Sequence, residues 1–148
     1  MLTLTKATTN DVVMTLKEKE IHPFLTYIFI FRGLDATENY VTSLLKSADS
    51  SPYPYRYNRF DIIETTNPDL TVGEIELGVE GIYYYSVYSI NATLTQNQVA
   101  AIALMTQEQI DNYANYCLER GMCYVQGFTE TTPAYTPDVI NTPTYQPA

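Results

Sequence analysis

The sequence predicts a mainly β fold: a sandwich of about seven short strands, with one helix before the last strand and an extended C-terminal arm. Three observations carry this. Short runs of alternating, β-branched or aromatic residues recur along 2–128, separated by Pro, Gly, Asn and Asp turns. One stretch, 107–120, places its apolar residues at helical spacing. Four of the eight prolines fall within the last 16 residues.

The elements follow in order. LTLT at 2–5 alternates as a short strand. DVVMTLKEK at 11–19 sets Val12, Met14 and Leu16 on one side, the pattern of a half-buried strand. After His22-Pro23, FLTYIFIF at 24–31 is apolar on both faces, which predicts a central strand. YVTSLL at 40–45 is a further strand, and KSADSSPYP at 46–54 is a loop. RYNRFDIIET at 56–65, EIEL at 74–77 and GIYYYSVYSI at 81–90 follow as strands, with Asn67-Pro68-Asp69 as a turn. Thr95-Gln-Asn-Gln98 could open a short helix within an otherwise ambiguous 95–104. Thr106-Gln-Glu-Gln109 is a capping box. Behind it, Ile110, Tyr113, Ala114, Cys117 and Leu118 form one apolar face, and Gly121 supplies a stop, so a helix is expected over 107–120. MCYVQGF at 122–128 is the last strand. The domain therefore spans 1–130 and the arm 131–148.

Composition bounds the function. The 148 residues carry a net charge of −9, unevenly spread: seven basic against six acidic side chains up to residue 60, then Arg120 alone against eleven acids. The second part would repel a phosphate backbone, so no nucleic acid is expected as partner. The longest apolar run is too short to span a bilayer as a helix, and MLTLTKATTN lacks the pattern of a Sec leader, so neither membrane nor Sec export is expected. The two cysteines, Cys117 and Cys123, are expected to be buried free thiols. Fourteen tyrosines and no tryptophan give much amphipathic aromatic surface.

No catalytic constellation, metal set or cofactor motif stands out. The one histidine, His22, precedes a proline in a turn. Glu74, Glu76 and Glu80 resemble a carboxylate cluster, but Gly78 interrupts their row, and a solvated strand face is the better reading. Tyr83, Tyr84, Tyr85 and Tyr88 put aromatic rings on both faces of one strand. They are expected to divide between core and a protein interface, with sugar stacking as the alternative.

The strands around Arg56-Tyr57-Asn58-Arg59-Phe60, Gly81-Ile82-Tyr83-Tyr84-Tyr85-Ser86-Val87-Tyr88 and Gly121-Met122-Cys123-Tyr124-Val125 resemble those of small virion proteins of crAss-like tailed phages of Bacteroidetes. The resemblance covers about 2–128. It implies an immunoglobulin-like β-sandwich that serves without enzymatic activity as an auxiliary, or decoration, protein on the capsid surface, assembled in the host cytoplasm. Its partners would be the major capsid protein or neighbouring copies of itself. A head-fibre or fibre-base subunit, contacting head-fibre proteins, is the alternative, and a glycan-binding module for host attachment the next. Within that fold Tyr83, with Gly81 before it, matches a tyrosine corner, and Tyr85 stands where the second cysteine would be.

The arm carries TPAYTP at 132–137 and TPTYQP at 142–147. Such a segment favours polyproline II, so the ten-residue offset spans roughly 30 Å. Being stiff, it loses less entropy on docking than a flexible chain. Pro133, Tyr135, Pro137, Pro143, Tyr145 and Pro147 are the expected anchors on the same or a neighbouring chain, with Val139 and Ile140 between them.

Overall fold

A computed structural model describes residues 1–16, 19, 23–34, 38–114 and 116–127. Among the described residues eight strands form two sheets. They are β1 (Leu2–Thr5), β2 (Thr9–Met14), β3 (Thr26–Gly33), β4 (Asn39–Leu45), β5 (Asn58–Glu64), β6 (Glu74–Ile75), β7 (Gly81–Ile90) and β8 (Tyr116–Gln126). The larger sheet runs β1-β8-β7-β3-β4 and the smaller β2-β5-β6. β1 lies parallel to β8, Leu4 opposite Val125, while each neighbouring pair along β8, β7, β3 and β4 is antiparallel. The fold is mainly β, as expected. Two helices, α1 (Gln96–Ile102) and α2 (Gln107–Tyr113), separate β7 from β8.

The larger sheet is sandwiched between two apolar layers, which explains why β3 is apolar on both faces. Tyr27, Phe29 and Phe31 point into the space between the sheets. There Phe60 of β5 meets Tyr27 and Phe29 edge-to-face, with ring centroids 5.1 and 5.7 Å away. The alternate residues Ile28 and Ile30 point outward into a second cluster with Tyr88, Ile90, Val99, Ile102, Ile110 and Ala114. The helices thus cover part of the outer face of the larger sheet.

This second layer overturns the single helix expected over 107–120. Thr106 caps α2 as its box requires, accepting from the Gln109 N–H at 3.2 Å while Gln109 accepts from the Thr106 N–H at 2.9 Å. The helix ends at Tyr113, however, and residues 116–120 are strand, pairing with β7 from Ser89 back to Ser86. The apolar face inferred for one helix belongs to two cores. Ile110 and Ala114 pack outside the larger sheet, whereas Leu118 packs between the sheets. Pairing with β7 satisfies the backbone of both strands, which outweighs continuation of a seven-residue helix. Arg120 therefore does not sit at a helix end, and Gly121 is no helix stop. Gly121 lies opposite Tyr85, and a Cβ there would fall 2.8 Å from that ring. The last strand is correspondingly longer than 122–128 at its start. A second capping box, Thr95 with Gln98, opens α1.

Other boundaries shift modestly: β2 begins at Thr9, β5 spans Asn58–Glu64, and β6 is only two residues long. Cys117 is exposed and only Cys123 is buried, because 116–117 lie at the uncovered start of β8. Burial pushes the Cys123 thiol up to about 11.

Polar ties join the sheets, at Glu64 and Gly73 among other places. The buried Glu64 carboxylate accepts from the Ala7 N–H at 2.7 Å and the Leu77 N–H at 2.9 Å, tying the β1–β2 turn to the chain after β6. Gly73 donates to Ser43 of β4 and accepts from Ile63 of β5, bridging one sheet to the other. Its φ of +83° and the closeness of Leu44 and Asp61 leave room for no side chain.

Candidate interaction surface

Among the described residues, the outer face of the larger sheet is open outside the helices. Register places its side chains in rows. Arg32 of β3, Tyr84 of β7 and Met122 of β8 are adjacent cross-strand partners. One row further, Ile82 pairs with Tyr124, which pairs with Thr3. In the other direction Ile30, Ser86 and Arg120 line up. Tyr84 is 52% exposed, Tyr124 41% and Met122 39%, a run of large side chains with no layer over them among the described residues.

The step where the chain enters α2 at Gln107 makes this face concave. A hollow of about 480 Å³ is floored by Ile30, Arg32, Tyr84, Ser86 and Met122 and walled by Gln107 and Arg120. A neighbouring hollow of about 590 Å³ shares Arg32, Asn39 and Gln107. The wall is fixed by a polar cluster. The Tyr88 hydroxyl donates to Asp111 at 2.9 Å and accepts from Gln107 at 2.6 Å and from Arg120 at 3.2 Å. Arg120 also lies 3.8 Å from Asp111. Burial, ahead of these bonds, raises the Tyr88 pKa. The cluster clamps α2 to the sheet and sets the edge of the hollow.

The tyrosines of β7 divide by parity. Tyr83 and Tyr85 point between the sheets, Tyr88 is buried beneath α2, and Tyr84 alone of the four is exposed. The Tyr85 hydroxyl donates to Glu119 at 2.6 Å, and Glu119 pairs with Lys19 at 2.7 Å. The Tyr83 hydroxyl donates to the Val79 carbonyl, four residues upstream, at 2.6 Å, and its ring packs against Tyr40 at 6.1 Å. Burial raises the pKa of both Tyr83 and Tyr85. Gly81 has a φ of +137° with open space where a Cβ would stand, so backbone conformation rather than crowding calls for glycine.

The remaining candidates are placed as follows. Glu74 accepts from the Asp69 N–H at 2.9 Å, and Glu76 and Glu80 are exposed. Among the described residues no three His, Cys, Asp or Glu gather as a metal set, and no helix is long and apolar enough to cross a membrane. His22 and the arm positions Pro133, Tyr135, Pro137, Val139, Ile140, Pro143, Tyr145 and Pro147 lie outside the described residues. Met122 and Tyr124 stand in a predicted strand and Gln107 in a capping box, but neither they nor Arg32 stand out in the sequence as surface contacts. The alternation of Arg120, Met122 and Tyr124 marks one face of a strand, a signal obscured by assigning residue 120 to a helix. No family model matches this sequence, and neither a curated protein nor a solved structure matches it.

Proposed function

We propose that this chain is a structural virion protein: an auxiliary capsid protein on the outer surface of a tailed-phage head, built on an immunoglobulin-like sandwich and contacting its neighbours through the 131–148 arm. The observation that carries this reading is the open sheet face of Tyr84, Met122, Tyr124 and Arg32 on a chain that also bears two TPxYxP motifs. Exposed Tyr, Met and Arg are the residue types enriched where proteins meet. The immunoglobulin-like assignment is supported by the sheet order, by the parallel pairing of the first strand with the last, and by the Tyr83–Val79 bond, which is the bond a tyrosine corner makes. The phage-head setting rests on the resemblance of the strand sequences. Counting copies of this chain per major capsid protein in purified particles by mass spectrometry tests it. A ratio near one, or a simple lattice fraction, fits a decoration subunit. A few copies per vertex moves the chain to a head fibre or its base, and absence from particles sinks the reading.

A glycan-binding module is the second reading. Tyr84 beside a hollow with Arg32, Gln107 and Arg120 is the specific observation that favours it, since sugars stack on exposed rings and hydrogen-bond to such groups. Saturable binding of host polysaccharide, lost in Tyr84→Ala, would establish it.

A further inference from the structure

We infer that the open face of the larger sheet is the receptor for a TPxYxP motif from a second copy of this chain. The inference rests on the reading of 131–148 as a docking arm, and it names what the arm docks on.

Three observations converge on this occupant. The first is chemistry. Proline-rich segments in polyproline II dock on aromatic-lined grooves, with the rigid strip losing little entropy. The face offers Tyr84, Tyr124, Met122 and Ile82 as such a lining, and the hollow beside Tyr84 can seat a ring. The second is charge. The rows from Thr3 to Arg120 carry Arg32 and Arg120 and no acid of their own, with Asp111 on α2 beside Arg120 and Glu38 lining the hollow next to Arg32. Residues 128–148 contain Glu130 and Asp138 and no Lys or Arg. The third is size. Strands rise about 3.3 Å per residue and lie about 4.8 Å apart, so the face from the Tyr124 row to the Arg120 row across β8, β7, β3 and β4, with the buried Ile30 at its inner corner, measures roughly 15–20 Å each way. One six-residue motif in polyproline II is about 19 Å long, whereas the two tyrosines ten residues apart are roughly 30 Å from each other. A face of this size accepts one motif at a time. With two motifs and one face per copy, one motif of each copy occupies a face, and the inference places it on a neighbouring copy.

The test uses the full chain. Tyr145 is replaced by the photo-reactive benzoylphenylalanine, and equal amounts of light and ¹⁵N-labelled protein are mixed and irradiated. The inference expects mixed-isotope cross-links landing on peptides 82–86 or 120–124. Cross-links confined to single chains, or landing elsewhere, overturn it. Sedimentation then compares Tyr145→Ala, Tyr84→Asp and Met122→Glu, each confirmed folded by circular dichroism. Each is expected to weaken self-association at least tenfold, and Tyr145→Ala with Tyr84→Asp to be non-additive. If Tyr145→Ala weakens association and neither face variant does, the arm still docks and the receptor assignment is wrong. If no variant has an effect, both the arm reading and this inference fall.

Discussion

At the scale of single residues, the tightest fit is Gly121 beneath the Tyr85 ring. Any side chain at 121 must displace that ring, and with it the hydroxyl that donates to Glu119. Gly121→Ala is expected to cost about 1–3 kcal/mol, the usual range for overpacking, read from chemical denaturation. A cost near zero would mean the ring is free to move. The buried tyrosines also set a pH response. Tyr40, Tyr83, Tyr85 and Tyr88 all have raised pKa values, with burial the leading cause in each. A raised tyrosine keeps its proton in the folded state while the unfolded chain loses it near pH 10. Stability is therefore full below about pH 10 and falls as pH rises beyond it. Denaturation midpoints between pH 8 and 11.5 should decline, and Tyr85→Phe should flatten the decline. An unchanged slope in that variant would remove Tyr85 from the account. The cysteines give a third check: Cys117 should react with a thiol reagent in the native protein, and Cys123 only after unfolding, because one is exposed and the other buried.

At the scale of elements, the helix-to-strand change after Tyr113 makes a distinctive mutational prediction. Ile110→Ala and Leu118→Ala should each cost about 2–5 kcal/mol. Because the two side chains sit in cores on opposite faces of one sheet, their costs should add within about 0.5 kcal/mol. On a single helix they would be packed eight residues apart on one stripe and would couple. The same place shows where sequence patterning reaches its limit. β3 and β7 are legible because alternation and a run apolar on both faces have one structural meaning each. The 110–118 pattern is ambiguous because residues that serve two different cores happen to fall at helical intervals. Local spacing cannot reveal a second core, since that core exists only once the helices fold back over the sheet. The open face was hidden for the same reason. Tyr84 was visible as one tyrosine among several, but its partners Arg32 and Met122 are 52 and 38 residues away, and only strand register brings them beside it. The caps behaved differently, because Thr95 and Thr106 need nothing beyond the next three residues.

At the scale of the whole molecule, the two sheets are held by aromatic packing and by a few polar ties. Glu64 is the most exacting of these, a buried carboxylate serving two backbone N–H groups from distant parts of the chain. Glu64→Ala leaves both donors without their acceptor and should cost about 2–4 kcal/mol, since hydrogen bonds to charged groups are among the stronger ones. Equilibrium unfolding in urea would show it, and a loss below about 1 kcal/mol would assign the joining of the sheets to the apolar core alone.

The parallel pairing of β1 with β8 has a consequence for how the protein comes into being. Residue 5 is held by residue 126, with the Gln126 side chain donating to Thr5 across 121 positions. A ribosome delivers residues in order, at about 5–20 per second. For the several seconds before β8 emerges, β1 has no neighbour in its sheet, the outer edge of β7 is bare, and the inner core lacks Leu118, Cys123 and Val125. Folding therefore waits on β8, and a nascent chain stalled before residue 116 presents a sticky strand edge of the kind that recruits chaperones or pairs with another unfinished chain.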